Sequence, residues 1–292
     1  MLTAGVRRAA AIICLAVLAG ACSAGSPRGP VPPPAAARPR LRHTSARYAR
    51  LPRVLVHGSR SRRIVAITFD SNMTWGMLAR LRSGRATSYD DTRVLAELDR
   101  LHVPATFFLS SLWVLRYPGT TRRIGTDPLF EVGSHSYAHA AFRAHCYGLA
   151  TLRPGQMAAD VRRSFAVLRR YVAHPQPYFR FPGGCYDRTS LRALGGLPVV
   201  PVQFDVASGD AFGRSVRAIV RHTLATAQAG SIIVMHVTLA NAPLTAAALP
   251  AIVAGLRREG LTPVRLSTLI AAGGLSYGPD CGPSPCANRH RP

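Results

Sequence analysis

The sequence predicts an α/β fold in which short apolar strands alternate with amphipathic helices around a parallel sheet. Segments rich in β-branched residues, such as 64–69, alternate with longer segments of helical periodicity, such as 92–101. Five polar residues also fall at or just past the ends of predicted strands, where barrel enzymes place their active sites. These residues are Asp70, His135, Arg180, Asp210 and His236.

The predicted strands are short, and most are nearly continuous in apolar character, which is typical of strands buried on both faces. The first, 64–69, reads Ile-Val-Ala-Ile-Thr-Phe and ends at Asp70. The later predicted strands are 104–109, 130–134, 178–181, one within 198–204, 230–235 and 263–266. The segment 130–134 leads directly into His135, and 178–181 is followed by a Pro-Gly-Gly turn.

Four helices are predicted between these strands, because apolar residues recur at helical spacing on one face. Helix 92–101 carries Val94, Leu95, Leu98 and Leu101 on that face. The other predicted helices are 157–172, which has arginines on its outer face, 215–229 and 244–260.

His135 and His139 are candidate metal ligands. Histidines four residues apart on a helix would share one face, one turn apart. Neutral imidazole is the commonest protein ligand for divalent transition metals, and an open catalytic zinc site uses three protein ligands. The pair would therefore supply two of the three, although the spacing alone is a weak signal.

Five motifs, in order along the chain, resemble those of the polysaccharide deacetylase (NodB-like) family over about residues 62–272. They are Thr68-Phe69-Asp70, Gly133-Ser134-His135-Ser136-Tyr137-Ala138-His139, Arg180-Phe181-Pro182-Gly183-Gly184, Asp205-Val206-Ala207-Ser208-Gly209-Asp210 and Ile232-Ile233-Val234-Met235-His236. The resemblance implies a distorted (β/α) barrel of seven or eight strands, as a single catalytic domain over residues 51–275. It also implies metal-dependent hydrolysis of an N- or O-acetyl group on a carbohydrate.

The resemblance implies a role for each motif residue. Asp70 would be the general base, and Arg180 would pair with it and keep it ionised. His236 would protonate the leaving amine or alcohol as general acid. Asp210 would hold the His236 tautomer, although Asp205 competes for this role.

The resemblance also implies a divalent cofactor, with zinc expected, which would polarise the acetyl carbonyl. A backbone N–H near the third motif, with Tyr186 as the candidate, would help to hold the oxyanion. Trp75 is a candidate for stacking on a sugar face, with core packing as the alternative.

One position departs from the family pattern. The family has a second Asp, the third metal ligand, directly after the base, whereas here Ser71 and then Asn72 follow Asp70. Asn72 could supply a carbonyl oxygen or Ser71 a hydroxyl, water could complete a two-histidine site, or catalysis could have been lost. Because candidates for the base, Arg, acid and acid partner are all present, we expect activity, with weaker metal binding.

The N-terminus is typical of an export signal, predicted over residues 1–21. Arg7 and Arg8 precede an apolar run over 9–18 that is too short to span a bilayer, and an A-x-A site precedes Cys22. The segment also resembles a bacterial lipobox, so Cys22 would be lipidated on the outer face of the membrane, or the protein would be secreted. Residues 22–50, rich in Pro, Ala and Arg, are predicted to be a tether.

Export permits disulfides, and four cysteines remain after the signal and Cys22. Cys281 and Cys286, in a predicted tail over 276–292, could pair across a short loop. Cys146 would then pair with Cys185, although three connectivities are open. A metal role for these cysteines is disfavoured.

The net charge is +24, and all 37 basic residues are Arg. The arginines are scattered rather than clustered with aromatic residues, and export removes the protein from nucleic acid, so we expect an anionic envelope polymer as partner. The leading hypothesis is a monomeric, exported deacetylase of an amino-sugar polymer such as peptidoglycan. Chitin oligomers, xylan and exopolysaccharides stay open as substrates. The alternatives are a non-catalytic carbohydrate-binding protein on the same fold, motivated by Ser71, and an amidohydrolase of a small non-sugar amide.

Overall fold

The computed structural model describes residues 51–280 and 282. Its main sheet has eight parallel strands and curls into a half-barrel. In chain order the strands are β2 (Ile64–Ser71), β3 (Ala105–Leu109), β4 (Phe130–Ser134), β5 (Tyr178–Phe179), β6 (Val200–Pro201), β7 (Val206–Ala207), β8 (Ile232–His236) and β9 (Thr262–Val264). They lie in the order β6-β5-β4-β3-β2-β8-β7, and β9 pairs with the start of β2. The predicted α/β barrel class is confirmed.

Helices connect these strands, as the predicted alternation requires. They are α1 (Trp75–Arg82), α2 (Thr92–Leu101), α3 (Ser111–Arg116), α4 (Pro118–Thr126), α5 (Pro154–Leu168), α6 (Arg188–Leu194), α7 (Val216–Thr226), α8 (Thr245–Arg258) and α9 (Leu266–Ala271). Helix α2 has the predicted bounds, because Asp91 caps its first turn and His102 ends it with a left-handed φ of 50°. The short helices α1, α3, α4, α6 and α9 were not predicted, since six to nine residues carry little periodic signal.

Strand β2 is the centre of the core and positions the polar residues at its end. It pairs with β3 on one side and with β8 on the other, so that Asp70 is in register with Phe108 and with His236. Beneath this end, Phe69 stacks on Phe107 with ring centroids 5.3 Å apart. The apolar run predicted as a strand thus brings Asp70 and His236 to the same edge of the sheet.

Residues just beyond the predicted domain end at 275 pair with the first described strand. Residues Ser276–Tyr277 form β10, which pairs antiparallel with β1 (Leu55–His57), and Gly282 N donates to the Tyr186 carbonyl. The tail begins within the fold because these backbone groups find partners there. No helix among the described residues is both long and apolar enough to cross a membrane. The predicted export signal, tether, Cys22 and the Cys281–Cys286 pair lie outside the described residues.

Candidate active site

A cavity of about 590 Å³ opens at the carboxyl ends of the central strands. Its lining includes five of the residues singled out from the sequence, which are Asp70, His135, His139, Asp210 and His236, together with Asn72. These residues come from four separate segments, and the parallel sheet brings them together because each follows or ends a strand. The prediction of one site at this edge of the sheet agrees with their positions.

Asp70 and Arg180 form a buried ion pair at the floor of the cavity. Arg180 Nη1 donates to Asp70 Oδ1 at 2.8 Å and to the Thr68 hydroxyl at 2.8 Å. Its guanidinium lies 3.9 Å from the centroid of the Phe108 ring, and Nη2 donates to the Gln203 carbonyl at 3.2 Å. These contacts fix one carboxylate oxygen of Asp70, while Oδ2 lies 3.5 Å from His135 Nε2.

His236 and Asp210 form a second pair in the cavity, beside Asp70 on the neighbouring strand. Asp210 Oδ1 accepts from His236 Nδ1 at 2.9 Å, and its Oδ2 accepts from the His236 backbone N–H at 2.7 Å. Ser208 and Thr245 hydroxyls also donate to this carboxylate, at 2.9 and 2.6 Å. Asp205 instead binds Arg60 and the backbone N–H of Ile232, so of the two candidates it is Asp210 that contacts the histidine.

The pKa values of this pair move in opposite directions. Burial lowers the pKa of His236, but the charge and hydrogen bond of Asp210 outweigh burial, so the pKa lies above its usual value. Burial raises the pKa of Asp210, and the His236 charge together with three hydrogen bonds brings it below its usual value. The pair therefore favours a charged imidazolium beside a carboxylate.

His135 and His139 do not lie on a helix, so that prediction is wrong. Strand β4 ends at Ser134, and Ser136 and His139 then take left-handed φ values of 70° and 52°, which cannot continue an L-residue helix. Tertiary hydrogen bonds replace the helical ones, since the Asp160 carboxylate accepts from Tyr137 N. The two imidazole centroids are nevertheless 4.8 Å apart, so the loop pairs the rings as the helix would have done.

Burial favours the neutral form of both imidazoles, which is the form that binds a metal. Burial lowers the pKa of His135, and burial followed by the nearby His135 and His236 charges brings the pKa of His139 well below its usual value. The Arg180 carbonyl lies 2.9 Å from His135 Nδ1 and can accept its N–H. That hydrogen bond would leave His135 Nε2, which faces Asp70, as the unprotonated nitrogen.

Ser71 and Asn72 point in different directions, because successive side chains of a strand alternate between its faces. Ser71 Oγ is fully buried and accepts from the Ser110 backbone N–H at 3.1 Å, and Ser71 does not line the cavity. Asn72 does line it, and the Asn72 Oδ1 atom is buried without a hydrogen-bond partner. Of the two predicted oxygen donors, only Asn72 lines the cavity that His135 and His139 also line.

The donor chemistry of the site fits a divalent metal of the zinc type. Within the described part of the chain, no three His, Cys, Asp or Glu side chains are grouped to hold a metal. Two imidazoles and the amide oxygen of Asn72 would be a set of three with a neutral oxygen in place of a carboxylate. A cation bound by the two imidazoles of this cavity could also satisfy the orphaned acceptor of Asn72.

The two predicted sugar-binding residues have different surroundings. The Tyr186 side chain is buried, stacks on Phe181 with centroids 5.1 Å apart and donates its hydroxyl to the Pro279 carbonyl, so the ring does not reach the cavity. The role assigned to its backbone N–H stays a prediction. Trp75 is 57% exposed and lines a neighbouring groove, so the core-packing alternative for Trp75 is wrong.

Tyr147 and Phe212 are two aromatic residues to which no motif of the sequence points. Both line the cavity, at 69% and 80% exposure, with ring centroids 6.1 Å apart. The predicted disulfide between Cys146 and Cys185 is present and ties the Tyr147 loop to the third motif. Gly183 in that motif has a φ of 61°, and a Cβ there would lie 2.7 Å from Cys146 Sγ, so this approach requires glycine.

The amino-acid sequence matches the family model for polysaccharide deacetylases over residues 57–202. A peptidoglycan-N-acetylglucosamine deacetylase of Bacillus cereus is 25% identical over 146 residues, which are 50% of this chain and 50% of that protein. The chain thus spans about half the length of this curated relative. The family match ends before Asp210 and His236, which the fold brings to the same cavity.

Two solved structures show the same fold. A CE4 family pseudoenzyme from Bacillus anthracis has a TM-score of 0.60 at 20% identity, with 75% of this chain and 69% of that chain covered. A family 4 acetyl xylan esterase from Clostridium thermocellum, in complex with a cobalt ion, has a TM-score of 0.57 at 22% identity, with 72% and 91% covered. The relatives therefore include both an esterase seen with a metal and a protein described as a pseudoenzyme.

Proposed function

The chain belongs to the polysaccharide deacetylase family, and we propose that it is a metal-dependent hydrolase that removes acetyl groups from an amino-sugar polymer of the cell envelope, such as peptidoglycan. One observation carries the proposal. A single cavity is lined by a carboxylate fixed by Arg180, a histidine–carboxylate pair, two further histidines and an asparagine whose amide oxygen is unpaired. This is the set of groups that amide hydrolysis needs.

His135, His139 and Asn72 would hold the metal, with zinc as the expected ion. A divalent ion held there would supply Lewis acidity to the acetyl carbonyl and make a water more acidic. The cobalt ion of the esterase relative supports a divalent site in this fold. Asn72 contributes no charge, so we propose that the affinity is lower than that of a site with a carboxylate ligand.

The two carboxylate-based pairs would divide the proton transfers. Asp70 would take a proton from the attacking water through Oδ2, because Oδ1 is bound by Arg180. His236 would give a proton to the leaving nitrogen from Nε2, while Asp210 holds Nδ1 and stabilises the imidazolium. The products would be acetate and a free amine on the sugar.

A second candidate function is carbohydrate binding without catalysis. The observation that favours it is the neutral oxygen donor at Asn72, together with the pseudoenzyme among the structural relatives. This alternative keeps the cavity and its exposed aromatic residues but predicts no turnover with any metal.

Acetate release by the metal-stripped full chain tests the proposal, with N-acetylglucosamine oligomers and peptidoglycan as substrates and with zinc, cobalt or manganese added back. We expect metal-dependent release that is lost in His135→Ala. His222→Ala, which removes an exposed histidine on α7, is the matched control and should keep full activity. If the folded wild-type chain releases no acetate with any of the metals, the result would favour carbohydrate binding without catalysis.

We also propose that the chain is exported and anchored through Cys22, or secreted if Cys22 is not lipidated. The basic n-region, the short apolar run and the small residues before Cys22 support this proposal. Labelling with a fatty-acid analogue should mark the wild-type chain and not Cys22→Ser. Equal absence of label in both would leave secretion as the route.

A further inference from the structure

A second groove, of about 790 Å³, adjoins the catalytic cavity. We call it the side groove and define it by Trp75, Tyr137, Asp160, Arg163 and the segment 148–152. His139 and Leu149 line both spaces, so a chain-like molecule with one sugar in the cavity would place its next sugar in the side groove.

Trp75 gives the side groove an exposed aromatic face. It is the first residue of α1, and its ring centroid lies 6.2 Å from that of Tyr137. Of the five large hydrophobic residues that are exposed in the described part of the chain, three are aromatic residues that line one of the two spaces. Exposed aromatic rings along a groove suit the apolar C–H face of a sugar.

Arg163 is a cation held in one geometry at the wall of the side groove. Its guanidinium lies 3.6 Å from the centroid of the Tyr137 ring, and Nη2 donates to the Tyr137 hydroxyl at 2.9 Å. Arginine has five N–H donors, so this contact leaves others able to bind a carboxylate as a planar pair. Stacking lowers the entropy that a free arginine would lose on binding.

We propose that the side groove binds the sugar next to the one that is deacetylated, and that Arg163 selects a neighbour that carries a carboxylate. The inference rests on the proposed function and narrows its substrate to glycans with an acidic substituent on alternate sugars. Trp75 stacks on the ring of this neighbour, and Arg163 pairs with its acid group. An uncharged amino-sugar oligomer binds through Trp75 alone.

Calorimetric binding to the metal-free full chain tests the proposal without turnover. The probes are two glycans of equal length, an N-acetylglucosamine oligomer and a peptide-free strand in which alternate sugars carry an ether-linked carboxylate. Arg163→Gln should weaken binding of the acidic glycan about tenfold, as expected for the loss of a charge-assisted pair, and leave the neutral glycan within about twofold. Trp75→Ala should weaken both.

Arg162→Gln is the matched control, because it removes the same charge from the next residue of α5, which does not line the side groove. If Arg162→Gln matches Arg163→Gln, or if Arg163→Gln weakens both glycans equally, the proposal is overturned. Acetate release is measured separately. Binding that depends on Arg163 without acetate release would contradict the proposed hydrolase and support the proposed role of the side groove. Acetate release with binding that does not depend on Arg163 would support the hydrolase and contradict the role of Arg163.

Discussion

The two sides of the catalytic cavity differ in how far the chain satisfies its own polar groups. On the proton-transfer side, the Asp210 carboxylate accepts hydrogen bonds from Ser208, Thr245 and both the ring and the backbone of His236. On the metal side, Asn72 Oδ1 is buried without a partner. One side is complete in the free protein, and the other has an acceptor that is free to bind a ligand.

The difference between the two sides affects the stability of the free protein. A buried polar atom without a partner costs about 1–3 kcal/mol, so the metal side is destabilised until a cation or a donor arrives. The proton-transfer side is preorganised at no further cost, as electrostatic catalysis requires. Substitutions on the proton-transfer side should therefore lower activity, because its polar groups already have partners. A substitution on the metal side that supplies a better ligand should raise metal affinity.

The largest expected loss of activity follows from Asp210→Asn on the proton-transfer side. The neutral amide no longer stabilises the imidazolium, so kcat at pH 7 should fall about 10²–10⁴-fold. Asp210 raises the pKa of His236 in the folded protein, so its removal lowers that pKa. The alkaline limb of the pH–rate profile, where the acid loses its proton, should move to lower pH.

Asp205→Asn is the control for that experiment. Asp205 lies in the same motif but binds Arg60 and Ile232 N, away from His236. Its replacement should lower thermal stability and leave the alkaline limb in place. An equal shift of the limb in both variants would mean that Asp210 does not set the His236 pKa.

A third carboxylate, Asp160, is half-buried at the wall of the side groove and accepts a hydrogen bond from Tyr137 N. Burial raises its pKa to about 6, against the Tyr137 N–H and the Arg163 charge, which lower it. Ionised Asp160 then costs the fold about 2–3 kcal/mol above pH 6, and nothing below its unfolded pKa near 4. Asp160→Asn keeps an acceptor for Tyr137 N and should raise the free energy of unfolding by that amount.

Denaturant unfolding at pH 8 and at pH 4 measures the effect. The folded-state pKa is raised, so the stabilising effect of Asp160→Asn should be present at pH 8 and fade as the pH falls towards 4. A gain of equal size at both pH values would rule out titration of Asp160 as the cause.

On the metal side, Asn72→Asp should increase metal affinity. It places a charged oxygen in the cavity that His135 and His139 line, in place of an unpaired neutral one, so zinc should bind about tenfold more tightly. Ser71→Asp is the matched variant. Its carboxylate would face the Ser110 backbone on the other side of the strand, so affinity should not rise and stability should fall.

Zinc titration with a competing chelator separates these outcomes, with thermal unfolding as the second measurement. If Ser71→Asp binds zinc more tightly than the wild type and Asn72→Asp does not, Ser71 rather than Asn72 occupies the position of the oxygen ligand. That result would also restore the motif alignment in which the residue directly after the base binds the metal.

The sequence was sufficient for those site residues whose position depends only on the end of a strand. Asp70, Arg180 and His236 follow apolar runs, and parallel strands bring such ends together. Strand alternation also holds the signal for Asn72, because residues two apart share a face and Asp70 already faces the cavity. Once Asp70 is known to face the cavity, this alternation favours Asn72 over Ser71.

The histidine loop and the aromatic pair could not be predicted in this way. The spacing of His135 and His139 suits a helix. Instead, the Asp160 carboxylate accepts a hydrogen bond from this segment and α3 N–H groups donate to it, which stabilises a loop with left-handed residues. Local periodicity contains no information about such distant partners. Tyr147 and Phe212 lie 65 residues apart in the sequence, and only the disulfide and the fold bring them to one rim.

The smallest expected effect concerns that aromatic rim. Phe212→Ala removes an exposed ring that packs near Tyr147 at the cavity and contacts neither pair of catalytic groups in any hydrogen bond. A sugar stacked there gains about 1 kcal/mol equally in the ground and transition states, so KM should rise about fivefold while kcat stays constant. Leu115→Ala, at an exposed apolar position on α3 that does not line the cavity, is the control. A fall in kcat with unchanged KM would instead mean that Phe212 helps to position the general acid His236, because Phe212 lies only two residues after Asp210.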